Sequence, residues 1–409
     1  KELRRAPVAI TLLDRRNYHV FQPLLYQVAT AALSPANIAT PIRKALRTQR
    51  NVTVLMGEAR GIDVERRTVQ FDGRTIGYDY LIVAAGAGHS YFGHDDWAKF
   101  APGLKTLEDA LEIRRRFLMA FERAELEQDE ARRRAALNFV VVGGGPTGVE
   151  LAGAMAEICR KAITRDFRHI DTTSARVILV EAEDRVLSSF PKECSAKAEE
   201  QLRHLGVEVR VGSPVTEIDG EGVKVGEDRI ATTNVFWAAG VKASSIGKSL
   251  GAKMDHSGRV RVEKDLSIAG HPEVFVVGDL AAVKDERSGE PVPGVAPAAM
   301  QMGRFVARVI AREARGKAER SSRPRFEYAD KGLLATIGRN RAVASIWGRR
   351  LSGVVAWLLW AVVHVFFLIN FRNKLIVLFD WAWMYVFFDR GARLITGNEE
   401  EESSGALDG

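Results

Sequence analysis

Val140-Val141-Val142-Gly143-Gly144-Gly145-Pro146-Thr147-Gly148-Val149-Glu150 is the stretch on which the fold turns. An apolar, β-branched run enters a cluster of glycines, and the pattern that follows opens a helix, so the segment reads as strand, tight turn, helix. In that context each glycine has its own task. Gly143 makes the bend, Gly145 lets backbone approach a pyrophosphate, and Gly148 lets helix pack closely on strand. The next strand, Arg176 to Val180, ends in Glu181, whose carboxylate suits ribose hydroxyls and repels a 2′-phosphate, which favours NAD over NADP. Gly148 and Glu181 are 33 residues apart, where about 20 is usual, so the helix or the loop through Arg165 to Thr173 must be extended. Glu150 reads as a first-turn residue. Its simplest role there is to complement the helix dipole. Because a carboxylate beside the turn opposes anion binding, a second role, such as orienting a nicotinamide carboxamide, also follows.

Outward from this turn the chain reads as α/β, with two Rossmann-like dinucleotide-binding domains, the second inserted in the first, and a C-terminal helical block. The first domain spans 1–110 and resumes over 265–325; the inserted domain is 111–264, the C-terminal block 326–397, and an acidic tail expected to be disordered closes the chain over 398–409. Expected strands are Val8 to Leu13, Val52 to Leu55, Thr68 to Phe71 and Tyr80 to Ala84 in the first domain. Leu137 to Val142, Arg176 to Val180, Val207 to Val211 and Val235 to Trp237 follow in the second, with Val274 to Val277 returning to the first. Expected helices are Leu107 to Ala136, Lys192 to His204 and Gln301 to Ala314. Asp14 repeats the strand-end acid of Glu181, which implies a second dinucleotide site whose glycine loop lies about 20 residues upstream. The first strand and glycine loop of the first domain are therefore expected to be missing from the sequence. Val274 to Val277 runs into Gly278-Asp279, a carboxylate placed at a strand end against a polyol.

Composition narrows the function classes. The 409 residues, 46% apolar and 27% charged, suit two or three globular domains. Two cysteines, Cys159 and Cys194, supply neither a disulfide framework nor a metal site, and no metal is expected. Between Lys331 and Arg393 nine basic residues face only Asp380 and Asp389, in the stretch that holds five of the seven tryptophans. The aromatics lie inside apolar runs rather than between basic residues, so an anionic membrane surface is indicated and nucleic acid is not. The runs Gly353 to Ile369 and Leu375 to Phe388, at about 25 and 21 Å as helices, fall short of a hydrocarbon core of about 30 Å. Both are expected to dip into one leaflet, with the basic pairs Arg349/Arg350, Arg372/Lys374 and Arg390/Arg393 at the headgroups; a buried core hairpin or a homodimer interface is the alternative.

With these residues in view the chain resembles the type II NADH:quinone oxidoreductases, single-subunit, non-pumping flavoproteins of respiratory membranes. The resemblance covers nearly the whole chain. It rests on Asn17 to Gln27, Tyr78 to Gly86, Gly143 to Glu150, Phe236 to Val241, Val277 to Asp279, Trp381 to Trp383 and Arg390 to Gly397. It implies that the first domain binds FAD and the inserted one NADH. FAD would be held by Asp14 at the ribose, Asp279 at the ribityl and phosphate region, and Pro23, Leu24, Leu25 and Tyr26 around the flavin. Gly278 and the Ala85-Gly86 and Ala239-Gly240 turns belong to the wider superfamily with two dinucleotide-binding domains. NADH falls to Gly143, Gly145, Gly148 and Glu181, and Glu150 matches an acidic residue near nicotinamide and flavin. Gln301 matches the second glutamine of a quinone-site pattern whose first is replaced by Pro297, and Lys331 matches a lysine near flavin and quinone. The implied chemistry is hydride transfer from NADH to flavin and two-electron delivery to ubiquinone or menaquinone, at the cytoplasmic face of a bacterial inner membrane. A sulfide:quinone reductase would need cysteines beside the flavin and no NADH turn; a flavin-free nucleotide-binding or membrane-docking remnant is the other alternative.

Overall fold

The structure is a computed structural model that describes residues 1–285, 289–387 and 390–396, so the acidic tail expected over 398–409 lies outside the described residues. The chain divides into two compact units: Lys1–His19, Thr40–His89 and Val241–Lys331 form one, and Val20–Ala39, Ser90–Gly240 and Gly332–Gly409 the other.

In the first unit, Ile10–Asp14 pairs in parallel with Val52–Met56. Leu81–Val83 pairs in parallel with His271–Val276, whose last four residues are buried. The helix Ala296–Glu313 closes over this core with Ala298, Met302, Val306, Val309 and Ile310, positions three and four apart that share one face. Ala87–His89 and Val241–Ala243 pair antiparallel. Arg323 fastens the segment after the helix. Its side chain is 4% exposed. Nε donates to Glu313 Oε1 at 2.5 Å, and Nη1 donates to Asp265 Oδ2 at 2.8 Å and to the Pro272 carbonyl at 2.6 Å. The Tyr80 hydroxyl donates to the other Glu313 oxygen at 2.8 Å.

The second unit is built on four parallel strands in the order Val207–Arg210, Arg176–Val180, Asn138–Val142, Asn234–Trp237. Numbered along the chain this is 3-2-1-4, the order of half a doubly wound sheet, with a near-continuous apolar run in each inner strand because both faces are covered. The charged helix expected over Leu107 to Ala136 is two helices, Leu107–Leu126 and Glu130–Ala136. Asp129 starts the second by accepting from the Arg132 N–H at 2.8 Å, a capping preference that overrides an unbroken helical composition. The long interval before Glu181 is taken up by a π-helical turn, Ile158–Ala162, and a loop whose N–H groups at Arg168, His169 and Ile170 are gathered by the Glu125 carboxylate.

The C-terminal part of this unit is an antiparallel sheet, Leu333–Gly338, Arg341–Ile346 and Arg349–Ser352, followed by helices Val354–Phe367 and Phe371–Phe387. The second helix begins four residues before the expected apolar run and takes in Arg372 and Lys374. Among the described residues no helix is long and apolar enough to cross a membrane. One expectation is corrected: the last basic pair does not flank a lipid surface. Arg390 donates to the Thr30 carbonyl at 2.9 Å and lies 3.4 Å from Glu157 Oε2, while Arg393 bonds the Ala162 carbonyl and pairs with Asp166. Both tie the chain back onto the parallel-sheet domain, where backbone carbonyls and carboxylates outcompete solvent for a guanidinium.

Candidate functional site

The glycine turn has the geometry that its three tasks require. Gly143 has φ +108°, and a Cβ there would lie 2.7 Å from the Ala238 carbonyl carbon. A Cβ on Gly148 would sit 1.8 Å from the Gly143 carbonyl oxygen, so helix and turn touch backbone to backbone. Around Gly145 nothing lies within 4 Å of that position, which leaves its backbone open to a ligand. Glu181 accepts from the Gly144 N–H at 2.5 Å through one oxygen and from the Glu183 N–H at 2.9 Å through the other. Its carboxylate therefore sits at the turn. Ala239 and Gly240 follow the strand Asn234–Trp237, whose Val142 partner leads into the turn, and Gly240 has φ +73°.

Glu150 is the fifth residue of the helix Pro146–Glu157, and no acidic residue occupies the first turn. The helix-dipole reading is thus corrected, since the dipole's influence falls off within that turn. Instead the carboxyl lines a cavity of about 120 Å³, with Glu157, Arg390, Tyr26, Trp357, Trp360 and Trp381 among its walls. Burial pushes the Glu150 pKa up to about 8, against the opposing pull of the Thr336 backbone N–H and the Trp360 indole. That indole N–H is buried and forms no hydrogen bond of normal geometry. Burial first, and then the Glu150 charge, drives the Tyr26 phenol well above its ordinary range. The amide of Gln27 bridges the Tyr26 hydroxyl at 2.9 Å and the Trp381 indole N–H at 2.7 Å. Of these walls the sequence marks Trp381, within a family segment, but gives no site role to Glu157 or to the tryptophans. Glu150, Ala154 and Glu157 are three to four residues apart on one helix, and that spacing alone would have placed the second carboxylate with the first.

Leu24 and Leu25 are 0% and 2% exposed, so their side chains serve the core of the second unit and any ligand contact falls to Pro23 and the backbone. In the first unit, Asp14 ends its strand and accepts from the Arg16 N–H at 2.8 Å. Ile82 is 37% exposed within a parallel strand that would ordinarily be covered, and Ala84 and Ala85 continue the exposure. Gly86 follows with φ +65° and nothing within 4 Å of a Cβ. Gly278 has φ +71° and leads into Asp279 after the strand His271–Val276. Open backbone, an uncovered apolar strand end and an adjacent carboxylate fit a cofactor with a flat apolar ring and a polyol arm. Gln301 has both ends of its amide occupied: Nε2 donates to the Ala329 carbonyl at 3.0 Å and Oε1 accepts from the Ala329 N–H at 2.9 Å. It clasps the segment that leads to the exposed Lys331.

A family model described as pyridine nucleotide-disulphide oxidoreductase matches residues 1–303, and one described as the NDH2 C-terminal domain matches residues 331–390. Fold and turn thus define a flavoprotein oxidoreductase of the pyridine nucleotide class. The chain is 46% identical to the type II NADH:quinone oxidoreductase Ndh of Mycobacterium tuberculosis, over 98% of this chain and 88% of that protein. It is 44% identical to NdhA of the same organism, over 100% and 90%. The solved NDH2 of Plasmodium falciparum in complex with NADH has the same fold, with a TM-score of 0.86 over 97% of each chain at 19% identity. The chain belongs to the type II NADH:quinone oxidoreductases. It is an FAD-dependent enzyme that oxidises NADH and reduces a quinone.

Proposed function

We propose that this enzyme works from the cytoplasmic face of a bacterial inner membrane, held on an anionic lipid surface by the C-terminal helices. The observation that carries this reading is the apolar face those helices expose: Val355, Leu358, Val362 and Phe366 on the first, 53–70% exposed, and Leu375 and Phe379 on the second, 52% and 66%. Their spacing of three and four places each set on one side of its helix. His364 does not interrupt this face with a charge, because burial lowers its pKa to about 4. Arg349 and Arg372 are exposed beside the helices and meet the headgroups. Val362→Asp with Phe379→Asp should abolish co-sedimentation with anionic vesicles while flavin content is retained. Unchanged vesicle binding would defeat this reading, and conversion of a dimer to a monomer in its place would assign the face to a second copy of the chain.

Within this reading the parallel-sheet part of the second unit, Ser90–Gly240, binds NADH through Gly143, Gly145, Gly148 and Glu181, rather than a domain over 111–264. Asp14, Ala85, Gly86, Gly278 and Asp279 hold FAD, which when bound supplies the hydride acceptor and the two-electron donor to quinone. Ala239 and Gly240 line the dinucleotide turn. Gln301 acts by fixing the backbone ahead of Lys331, the residue placed to meet the quinone. Glu150 supplies a carboxyl that is neutral at pH 7 and able to exchange a proton near it, the range in which general acid–base groups work. A carboxyl whose folded pKa is raised contributes stability that is complete below its unfolded value of about 4.5 and lost as pH rises through about 8. Glu150→Gln, which never ionises, should therefore be more stable than wild type by about 2 kcal/mol at pH 8, discounted for partial exposure, with the gap closing by pH 5. The same variant should slow flavin reduction by NADH in stopped flow; wild-type rates would leave Glu150 as a buried structural acid.

A further inference from the structure

Phe92 combines a strained backbone with an exposed ring, its N–H donating to Ser90 Oγ at 3.4 Å and its ring centroid 6.2 Å from that of Trp237. Its φ is +54°, in the left-handed region that bulky side chains avoid, and the residue is 69% exposed. The segment is nonetheless fixed. The Ser90 carbonyl accepts the Trp237 indole N–H at 2.9 Å, the Ser90 N–H donates to the Gly240 carbonyl at 3.4 Å, and His94 stacks on Trp97 with ring centroids 4.1 Å apart. These ties hold the ring against Gly240: a Cβ at Gly240 would lie 2.6 Å from the tip of Phe92. From Gly240 the backbone runs through Ala239 to Ala238, against which Gly143 is packed.

The strand order says which part of a dinucleotide this place meets. Glu181 ends the strand on one side of the glycine turn, and Ala238 to Gly240 follow the strand on its other side. With the adenosine ribose at Glu181 and the pyrophosphate over Gly145, the chain of the ligand extends across the ends of the strands toward Ala239 and Gly240. We propose that Phe92 is an NADH-binding residue whose ring covers the nicotinamide half of the substrate at Gly240. The flat apolar ring, held in place at a cost in backbone strain and 69% exposed, matches the face of a pyridine ring and its ribose. The inference rests on the reading that the Gly143 turn binds NADH.

Phe92→Ala and Phe92→Tyr, with Gly145→Val as a reference, test it in steady-state kinetics and flavin absorbance of the holoenzyme. Phe92→Ala should raise the KM for NADH about threefold to tenfold, the factor expected of one aromatic contact, and Phe92→Tyr should restore it. Flavin content, quinone KM and thermal stability should stay at wild-type values, since little of Phe92 is buried. An unchanged NADH KM in Phe92→Ala beside a raised one in Gly145→Val would overturn the Phe92 contact and leave the turn assignment standing. A raised KM in Phe92→Ala with none in Gly145→Val would overturn the turn assignment, and with it the placing of the Phe92 contact at the nicotinamide half. Loss of flavin from Phe92→Ala would also overturn the inference, because the ring would then serve the other cofactor.

Discussion

Glu181→Arg should lower the NADH-to-NADPH ratio of kcat/KM by about a hundredfold, the loss of one or two charge-assisted hydrogen bonds of about 1.5–3 kcal/mol each. On the proposed reading the carboxylate at the end of Arg176–Val180 would accept from ribose hydroxyls and repel a 2′-phosphate, and a guanidinium would invert both terms. The structure adds a complication. Glu181 also accepts from the Gly144 N–H, and arginine offers no acceptor, so the variant loosens the turn as well as recoding it. Glu181→Gln separates the effects, because it retains an acceptor and removes only the charge. It should keep NADH turnover near wild type while narrowing the ratio severalfold. If Glu181→Arg leaves the ratio unchanged, another residue reads the ribose.

Arg323→Ala should destabilise the first unit by about 3–5 kcal/mol, the cost of leaving buried carboxylates without their partner. Glu313 and Asp265 have side chains only 5% and 16% exposed. Burial alone would raise both carboxyls; hydrogen bonds from Arg323 and Tyr80 to Glu313, and from Ser267 and Arg323 to Asp265, bring them below their ordinary values of 4.5 and 3.8. Lowered carboxyls contribute stability that is present above the unfolded pKa and lost as pH falls through the folded one. Wild type should accordingly lose stability on acidification below about pH 4.5, and Arg323→Ala should show a shallower acid limb. Urea unfolding at pH 7 and pH 4 measures both quantities. A loss under about 1 kcal/mol, typical of an exposed pair, would mean that solvent screens the cluster.

How much could be read beforehand depended on whether a residue's role was local. Lys192–His204, Arg176–Val180 and Thr68–Phe71 fall where periodicity and strand composition place them, because neighbours in sequence fix their faces. The glycine turn was legible for the same reason: its three positions serve one bend. Glu150 was assigned to the wrong turn of its helix, and the cavity it faces is built from residues at 26, 336, 360 and 390 that no window joins. The position of Arg390 and Arg393 after an apolar run points to lipid, yet their partners at Thr30, Glu157, Ala162 and Asp166 lie more than 220 residues upstream. Phe92 gave no signal at all, since a positive φ at phenylalanine leaves no mark in composition.

The helix Pro146–Glu157 is engaged along its whole length. At its start Gly148 meets the Gly143 carbonyl, and a Cβ on Gly153 would lie 1.7 Å from the Ile337 carbonyl oxygen of the C-terminal sheet. Glu157 accepts the Arg339 N–H at 2.7 Å and faces Arg390. Two close backbone-to-backbone approaches and an ionic contact at its end couple the helix to the sheet: a slide along its axis or a roll about it would press backbone on backbone. The glycine turn at one end and the Glu150 carboxyl one turn further along therefore share one helix with the contact to the C-terminal sheet, so a shift of that helix would move both places together.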